Sequence, residues 1–414
     1  MRPVATTLCY PNPTQPTYGI FVQRRLAAIH QSHPLHVVAP SPVCPPLRRR
    51  PFKEKNLPER DGHPPVSYPS MFYLPGMLKH LDAQFYADAL AQHWQKNERL
   101  ATADVIDAHF VWPDGVGAWQ VARQRRLPFV CTIRGKLVSQ ARYPARRRQI
   151  IDMLCSADRL IAVSQALADL ACTVARRRLD VTVIPNGIDC DVFYFTRGTR
   201  ENEADAGRHS PSAGVSPNAF APLPGEWDSA SQHVVSVGHL QELKGFHRLV
   251  EIWPAIRQKC GNVQLVLVGG SVGDVQYELK LHRLINKTNA SVGGSVPAIF
   301  CTGRVDANRL RALLNAADLF ALASRSEGWC NSIAEAFACG CPVIATDVGG
   351  NREQVTDPDL GSLVPFGNSE HLADAIITAL QRDWDRPAIA EFGRRRNWSD
   401  VATQCVDVLS SVVK

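Results

Sequence analysis

No stretch of this sequence approaches the ~18 uninterrupted apolar residues of a membrane-spanning helix, and its opening, MRPVATTLCYPNP, has no apolar core of the kind a secretory signal carries. Bilayer crossing and export are therefore not expected. The twelve cysteines include no CxxC pair and none with a histidine at zinc spacing, Cys339 and Cys341 being the closest two. No metal site is expected, and so many thiols without an export signal point to the cytosol. Aromatic residues are scarce at 7%, and only Tyr143, beside Arg142 and Arg146, interleaves a ring with cations. That argues against a non-catalytic nucleic-acid or polyanion binder, which needs stacking platforms along a basic surface. Disorder is not the default either, with 45% hydrophobic and 21% charged residues.

What is present is enough apolar material for more than one core. A chain of 414 residues predicts two domains of roughly 150–200 residues each. Its net charge of +7 is lopsided: residues 1–195 hold 25 Lys and Arg against 15 Asp and Glu, and the remainder hold 21 against 24. Arginine triplets at 48–50, 146–148 and 176–178 concentrate the positive charge in the front half. One triplet is commonly a solvated face, but three on one domain point to an anionic surface or a phosphorylated ligand.

Short apolar runs at residues 4–9 and 35–39 flank a helical stretch at 20–30, a βαβ opening. Further strands are expected at 105–110, 128–133, 158–163 and 181–184, with a helix at 116–126. Residues 196–231 have no periodicity and are rich in Pro, Gly, Ser, Ala and Asn, so they read as a linker or insertion. The alternation then resumes, with strands at 234–237, 263–268, 298–302, 319–323 and 342–346 and helices at 246–259, 308–316 and 332–339. Two doubly wound α/β domains with parallel sheets follow, at 1–195 and 232–385, and 386–414 forms a C-terminal helical segment expected to cross back to the first domain.

In the second domain the strand at 319–323 gives way to SRSEGWC and then a helix, whose first amides at Asn331, Ser332 and Ile333 could meet a phosphate. Glu327 and Glu335, eight positions apart, would repel such an anion and instead suit hydroxyls on either side of it. Read alone, Glu327 is a dipole partner and Glu335 a solvated helix residue. Lys244, in GHLQELKG after the strand at 234–237, could meet the same anion from another side.

The stretch SEGWCNSIAEAFACGCPVIATDVGG resembles the EGxxxxxxE signature of retaining glycosyltransferases of family 4, and VVSVGHLQELKGFHRLVEIWP, VTVIPNGIDCDVF, YPNPTQPTYGIFVQRRL and HFVWPDGVGAWQVARQRRLPFVCTIRG resemble other segments of that family. Only residues 41–100 and 196–231 lack a clear counterpart. The resemblance implies the GT-B fold, two facing Rossmann-like domains with a nucleotide-sugar site in the cleft between them. It implies Lys244 on the donor diphosphate, Glu335 on the ribose, Glu327 on the transferred sugar, and His109 as the active-site histidine near the reacting carbon. It places Gly19 in a loop that approaches the phosphates without a Cβ. His239 stands where family members often carry arginine, and Arg134, Gly135, Lys136, Leu137 replace an Arg-Gly-x-Asp turn, leaving Arg134 on the acceptor side without its carboxylate.

The implied activity is metal-independent transfer of a sugar, with retention, from a nucleotide diphosphate sugar to a hydroxyl acceptor in polysaccharide or glycolipid assembly, with no cofactor. A sugar-nucleotide 2-epimerase of similar architecture is the alternative. The basic front half, with the apolar residues 71–78 that have no obvious sheet role, is expected to dock on the anionic inner face of a membrane, where the acceptor is a lipid-linked saccharide.

Overall fold

The computed structural model describes residues 1–44, 62–196, 223–271 and 273–413. The arginine triplet at 48–50 and most of the expected linker at 196–231 lie outside the described residues. The chain forms two compact units, Met1–Gly187 with Trp398–Lys414, and Ile188–Asn397. The division falls eight residues before the sequence-based boundary at 195. The helix Arg386–Arg394 belongs to the second unit, so only the last helix, Trp398–Ser410, belongs to the first.

The first unit is built on β1 (Pro3–Thr6), β2 (His36–Val38), β3 (Ser41–Val43), β4 (Val66–Ser67), β5 (Ser70–Phe72), β6 (Val105–His109), β7 (Phe129–Ile133), β8 (Arg159–Ala162) and β9 (Val181–Val183). Seven of these form one parallel sheet in the order β4-β2-β1-β6-β7-β8-β9, and β3 pairs with β5 as a separate two-stranded ribbon. The run at 71–78 therefore does have a sheet role at its start, where Met71 and Phe72 oppose Pro42 and Val43. All five residues of β6 and of β7 are buried, as expected of central parallel strands covered on both faces. The helix Ile20–Ser32 covers one face through Val22, Leu26 and Ile29, and Trp398, Val401 and Cys405 of the last helix complete the same core. Each such aliphatic side chain contributes about 1.5–3 kcal/mol by leaving water.

The second unit is a six-stranded parallel sheet of β10 (Gln232–Val237), β11 (Val263–Val268), β12 (Ile299–Gly303), β13 (Leu319–Leu322), β14 (Val343–Thr346) and β15 (Gly361–Val364), ordered β12-β11-β10-β13-β14-β15. The period of two shows in its cores: Val234, Leu265 and Ala321 pack on one face, and Val235, Val266, Phe320 and Leu322 on the other. Both sheets contain a point where strand order reverses, between β1 and β6 in the first unit and between β10 and β13 in the second. Ligands of doubly wound sheets settle at the carboxyl ends of such strands.

Candidate functional site

In the second unit the reversal point brings together the two turns that carry the sequence motifs. After β10 the chain runs through His239 into a short 3-10 turn, Glu242–Lys244, and re-enters a helix, Phe246–Cys260, at Gly245. Gly245 has φ +73°, and a Cβ there would lie 2.0 Å from the Ala323 carbonyl oxygen. Only glycine lets the turn close so tightly against the end of β13. The Arg325 amide then bonds the Leu243 carbonyl at 2.8 Å, clamping the turn after β10 to the loop after β13.

This clamp sets Lys244 against Glu327. Lys244 Nζ donates to Glu327 Oε1 at 2.7 Å, and Ser324 Oγ donates to the same oxygen at 2.6 Å. The described contacts leave Glu327 Oε2 without a hydrogen-bond partner. Burial acts to lower the Lys244 pKa, but the Glu327 carboxylate and its hydrogen bond, with Cys330, outweigh it and hold the ammonium above its ordinary value. The pair offers a fixed cation for phosphate and, on the spare carboxylate oxygen, an acceptor for a hydroxyl. The loop after β14 supports it from behind. Thr346 Oγ1 donates to the Ser324 carbonyl at 2.6 Å, and Gly349, at φ +50°, backs onto the Glu327 carbonyl so closely that a Cβ would lie 1.8 Å from it.

The helix Asn331–Ala338 starts beside this pair, so Asn331, Ser332 and Ile333 form its first turn. The Ile333 amide is engaged by the Cys330 carbonyl at 3.2 Å, which removes it from the expected phosphate cradle and leaves the earlier positions to serve. Glu335 lies half-buried one turn further on, and His239 is exposed after β10. Cys330, buried at the helix start, has its thiol pushed up to about 11, burial being the main cause, so it is an inert packing group.

The first unit places its expected residues differently. Gly19 caps the helix Ile20–Ser32 at φ +71°, and a Cβ there would lie 2.2 Å from the Cys9 carbonyl oxygen, so backbone packing by itself requires glycine. His109 ends β6 fully buried. Its Nδ1 accepts from Arg134 Nε at 3.1 Å, and Nε2 lies 3.2 Å from Asp107 Oδ2. Burial lowers its pKa, opposed by Asp107 and reinforced by Arg134 and Arg25, so the ring is neutral. In this arrangement His109 faces side chains of its own unit. Arg134, expected on the acceptor side, is also buried, and its Nη1 donates to Asn186 Oδ1 at 2.8 Å.

Two polar residues at these strand ends are not evident from the sequence motifs. Arg25 lies on the apolar face of its helix, three positions from Val22 and four from Ile29, and that periodicity is the available signal. Asp114, in WPDG, accepts the Leu8 amide at 2.5 Å and ties the turn after β1 to the turn after β6. Burial pushes its carboxyl up to about 7, against Leu8, Thr7 and Lys136, which favour the ionised form. A raised acid pKa means the folded state holds a proton that the unfolded state releases near pH 4. Its contribution to stability is therefore present at low pH and lost as pH rises through about 7. Relative to Asp114→Asn, the wild type should lose up to about 1.4 kcal/mol of stability per pH unit across that window in urea titrations. Parallel pH profiles for the two proteins would remove the assignment.

The turns built around Lys244 and Glu327 lie within a matched family region. The sequence model described as Glycosyltransferase Family 4 matches residues 22–192, and that described as Glycosyl transferases group 1 matches residues 231–382. The chain belongs to the family 4 glycosyltransferases. The Bacillus subtilis protein TuaC, named as a teichuronic acid biosynthesis glycosyltransferase, is 27% identical over 401 residues, covering 92% of this chain and 89% of its own. A D-inositol 3-phosphate glycosyltransferase of Xylanimonas cellulosilytica is 27% identical over 355 residues, covering 82% and 78%. Among solved structures, sucrose-phosphate synthase of Thermosynechococcus elongatus superposes with TM-score 0.75 at 20% identity, covering 99% of this chain and 98% of that one. Anabaena HepE, solved with UDP-glucose, superposes with TM-score 0.70 at 22% identity, covering 99% and 100%. These neighbours fix the fold as GT-B, and this family 4 member is a glycosyltransferase.

Proposed function

We propose that this glycosyltransferase takes a sugar from a nucleotide diphosphate sugar, retains its anomeric configuration, needs no metal, and builds a cell-surface polysaccharide or glycolipid. The observation that carries the reading is the Lys244–Glu327 pair at the start of the helix Asn331–Ala338. Lys244, His239 and the helix's first amides would oppose the charge that grows on the leaving diphosphate. Glu327 Oε2 would accept from a hydroxyl of the departing sugar and Glu335 from the ribose. As the sugar's anomeric bond to phosphate breaks, the acceptor oxygen bonds to the same face and its proton passes to the leaving phosphate oxygen.

The purified protein, offered a panel of nucleotide sugars, should hydrolyse one of them preferentially in excess chelator. Glu335→Ala should weaken that donor by about 1–3 kcal/mol, since two hydroxyls lose their acceptor. Loss of turnover on chelation, restored by added metal, or an unchanged donor KM in Glu335→Ala, would overturn the assignment. An epimerised nucleotide sugar with no glycosidic product would point to the alternative chemistry.

Among the described residues no helix is long and apolar enough to cross a membrane. Peripheral docking is supported by one surface of the first unit. Met77 and Leu78 are 66% and 47% exposed, and the helix Pro144–Ser156 is fastened to the next two residues, Arg146 Nε donating to the Lys79 carbonyl and Gln149 Nε2 to the His80 carbonyl. Exposed Val138 and Tyr143 and the cations Lys136, Arg142, Arg147 and Arg148 come from this helix and the residues leading into it. Arg146 is structural, with Trp112 and Tyr143 against its guanidinium, so it is left unchanged in the test. Wild type should sediment with anionic but not neutral liposomes at low salt, and Arg147→Glu with Arg148→Glu should weaken this at least about threefold. Protein that stays in the supernatant with anionic vesicles sinks the membrane reading.

A further inference from the structure

The carboxyl ends of β6, β7 and β9 in the first unit hold more positive charge than they neutralise. Arg25 and Arg134 are 1% and 7% exposed. Arg25 donates to Thr132 Oγ1 at 3.4 Å and the Ile184 carbonyl at 2.9 Å, and Arg134 to His109 Nδ1 and Asn186 Oδ1. None of these four acceptors is a carboxylate. Among the described residues, Arg25 Nε and Arg134 Nη2 are buried without a hydrogen-bond partner. Among the described residues, Asp107 is the carboxylate whose charge acts on Arg134, and it sits against His109. His109 is neutral, and burial keeps the neighbouring thiols protonated, Cys9 pushed up to about 11 and Cys405 and Cys131 also raised. Two guanidiniums thus face one carboxylate. Burial and the charge of Arg25 both act against Arg134, the direction expected of a cation whose counter-charge is incomplete.

Buried donors and charges are ordinarily satisfied, so an unpaired guanidinium N–H at a strand's carboxyl end is a place for a ligand oxygen. Arg134 Cζ lies over the Phe21 ring, 5.3 Å from its centroid, and because guanidinium N–H bonds lie in the plane, a partner for Nη2 must come in along the edge. We propose that Arg134, with Arg25 behind it, binds an anionic oxyacid group, phosphate or carboxylate, carried by the acceptor. The proposal rests on the glycosyltransferase reading only in assigning the anion to the acceptor; the anion site itself stands on the first unit alone. A planar guanidinium edge suits such an oxyacid. His109 and Asn186 become positioning residues, holding two of the arginine's three nitrogens so that the third faces the ligand.

The test uses the full chain saturated with UDP, so that the proposed phosphate-binding groups of the second unit are already occupied. Inorganic phosphate and, in a separate arm, acetate are titrated by calorimetry. One of them should bind the wild type under these conditions, and Arg134→Met should weaken it at least about tenfold while circular dichroism shows an intact fold. If that variant does not fold, Arg134→Lys, which keeps the charge but not the fork, should give the same loss. The phosphate arm against the acetate arm tells a phosphorylated acceptor from a carboxylated one. Binding that UDP abolishes belongs to the donor site and overturns the proposal, as does wild-type affinity in a folded Arg134 variant. Failure to bind UDP at all would instead count against the donor-site reading.

Discussion

Lys244→Ala should lower kcat/KM for the true donor by about 10²–10³-fold, the range seen when one preorganised charge is removed from a developing anion. Two losses combine. On the proposed reading the leaving diphosphate would lose a side-chain cation, and the Glu327 carboxylate, 8% exposed, keeps Ser324 but loses the ammonium 2.7 Å away. A buried carboxylate stripped of its cation repels phosphate, so the damage should exceed that of an ordinary missing lysine. The double variant with Glu327→Gln separates the two: if the pair acts as a unit, adding Glu327→Gln to Lys244→Ala should cost far less than Glu327→Gln alone. Additive losses, or a Lys244→Ala enzyme within about threefold of wild type, would show that the cation does not serve the donor.

The turns that carry Lys244 and Glu327 were legible because short-range chemistry dictates them. LKG followed by an amphipathic run needs a left-handed residue between turn and helix, and Gly245 supplies it. SEGWC between a buried strand and a helix marks the second turn, and the strand–helix alternation marks both sheets, with strand ends within a few residues of those observed. The Lys244–Glu327 pairing was not legible, since it depends on β10 lying beside β13 although β11 and β12 intervene in sequence. The same holds for Gly349, whose requirement comes from a carbonyl 22 positions earlier. In the first unit the family resemblance implies an active-site histidine at 109, while the structure buries it at the end of β6, where Arg134 from another element donates to its Nδ1. Arg25 is visible in sequence as a cation on an apolar helical face. Its partners at Thr132 and Ile184 are not, being over a hundred residues away.

The glycine contact offers a sharp test of how the Glu327 turn is held. Gly349→Ala should cost about 3 kcal/mol or more in stability and displace Glu327 enough to lower turnover at least about tenfold. A Cβ at this position would lie 1.8 Å from a backbone carbonyl oxygen, so relief requires the Glu327 turn or the loop after β14 to move. Neither can do so cheaply, because Thr346 fastens the two loops together through the Ser324 carbonyl. The backbone angle by itself is a minor term, since alanine at a left-handed glycine costs only about 1–2 kcal/mol. Gly76 provides the comparison. It has φ +76°, and a Cβ there would meet nothing within 4 Å among the described residues, so Gly76→Ala should show the angular cost alone and leave turnover intact. Urea midpoints and donor kcat measured on both variants decide the matter. Equal losses at the two glycines would mean that contact with the Glu327 carbonyl does not hold the turn, and the position of Glu327 would then have to be set from the Ser324 side alone.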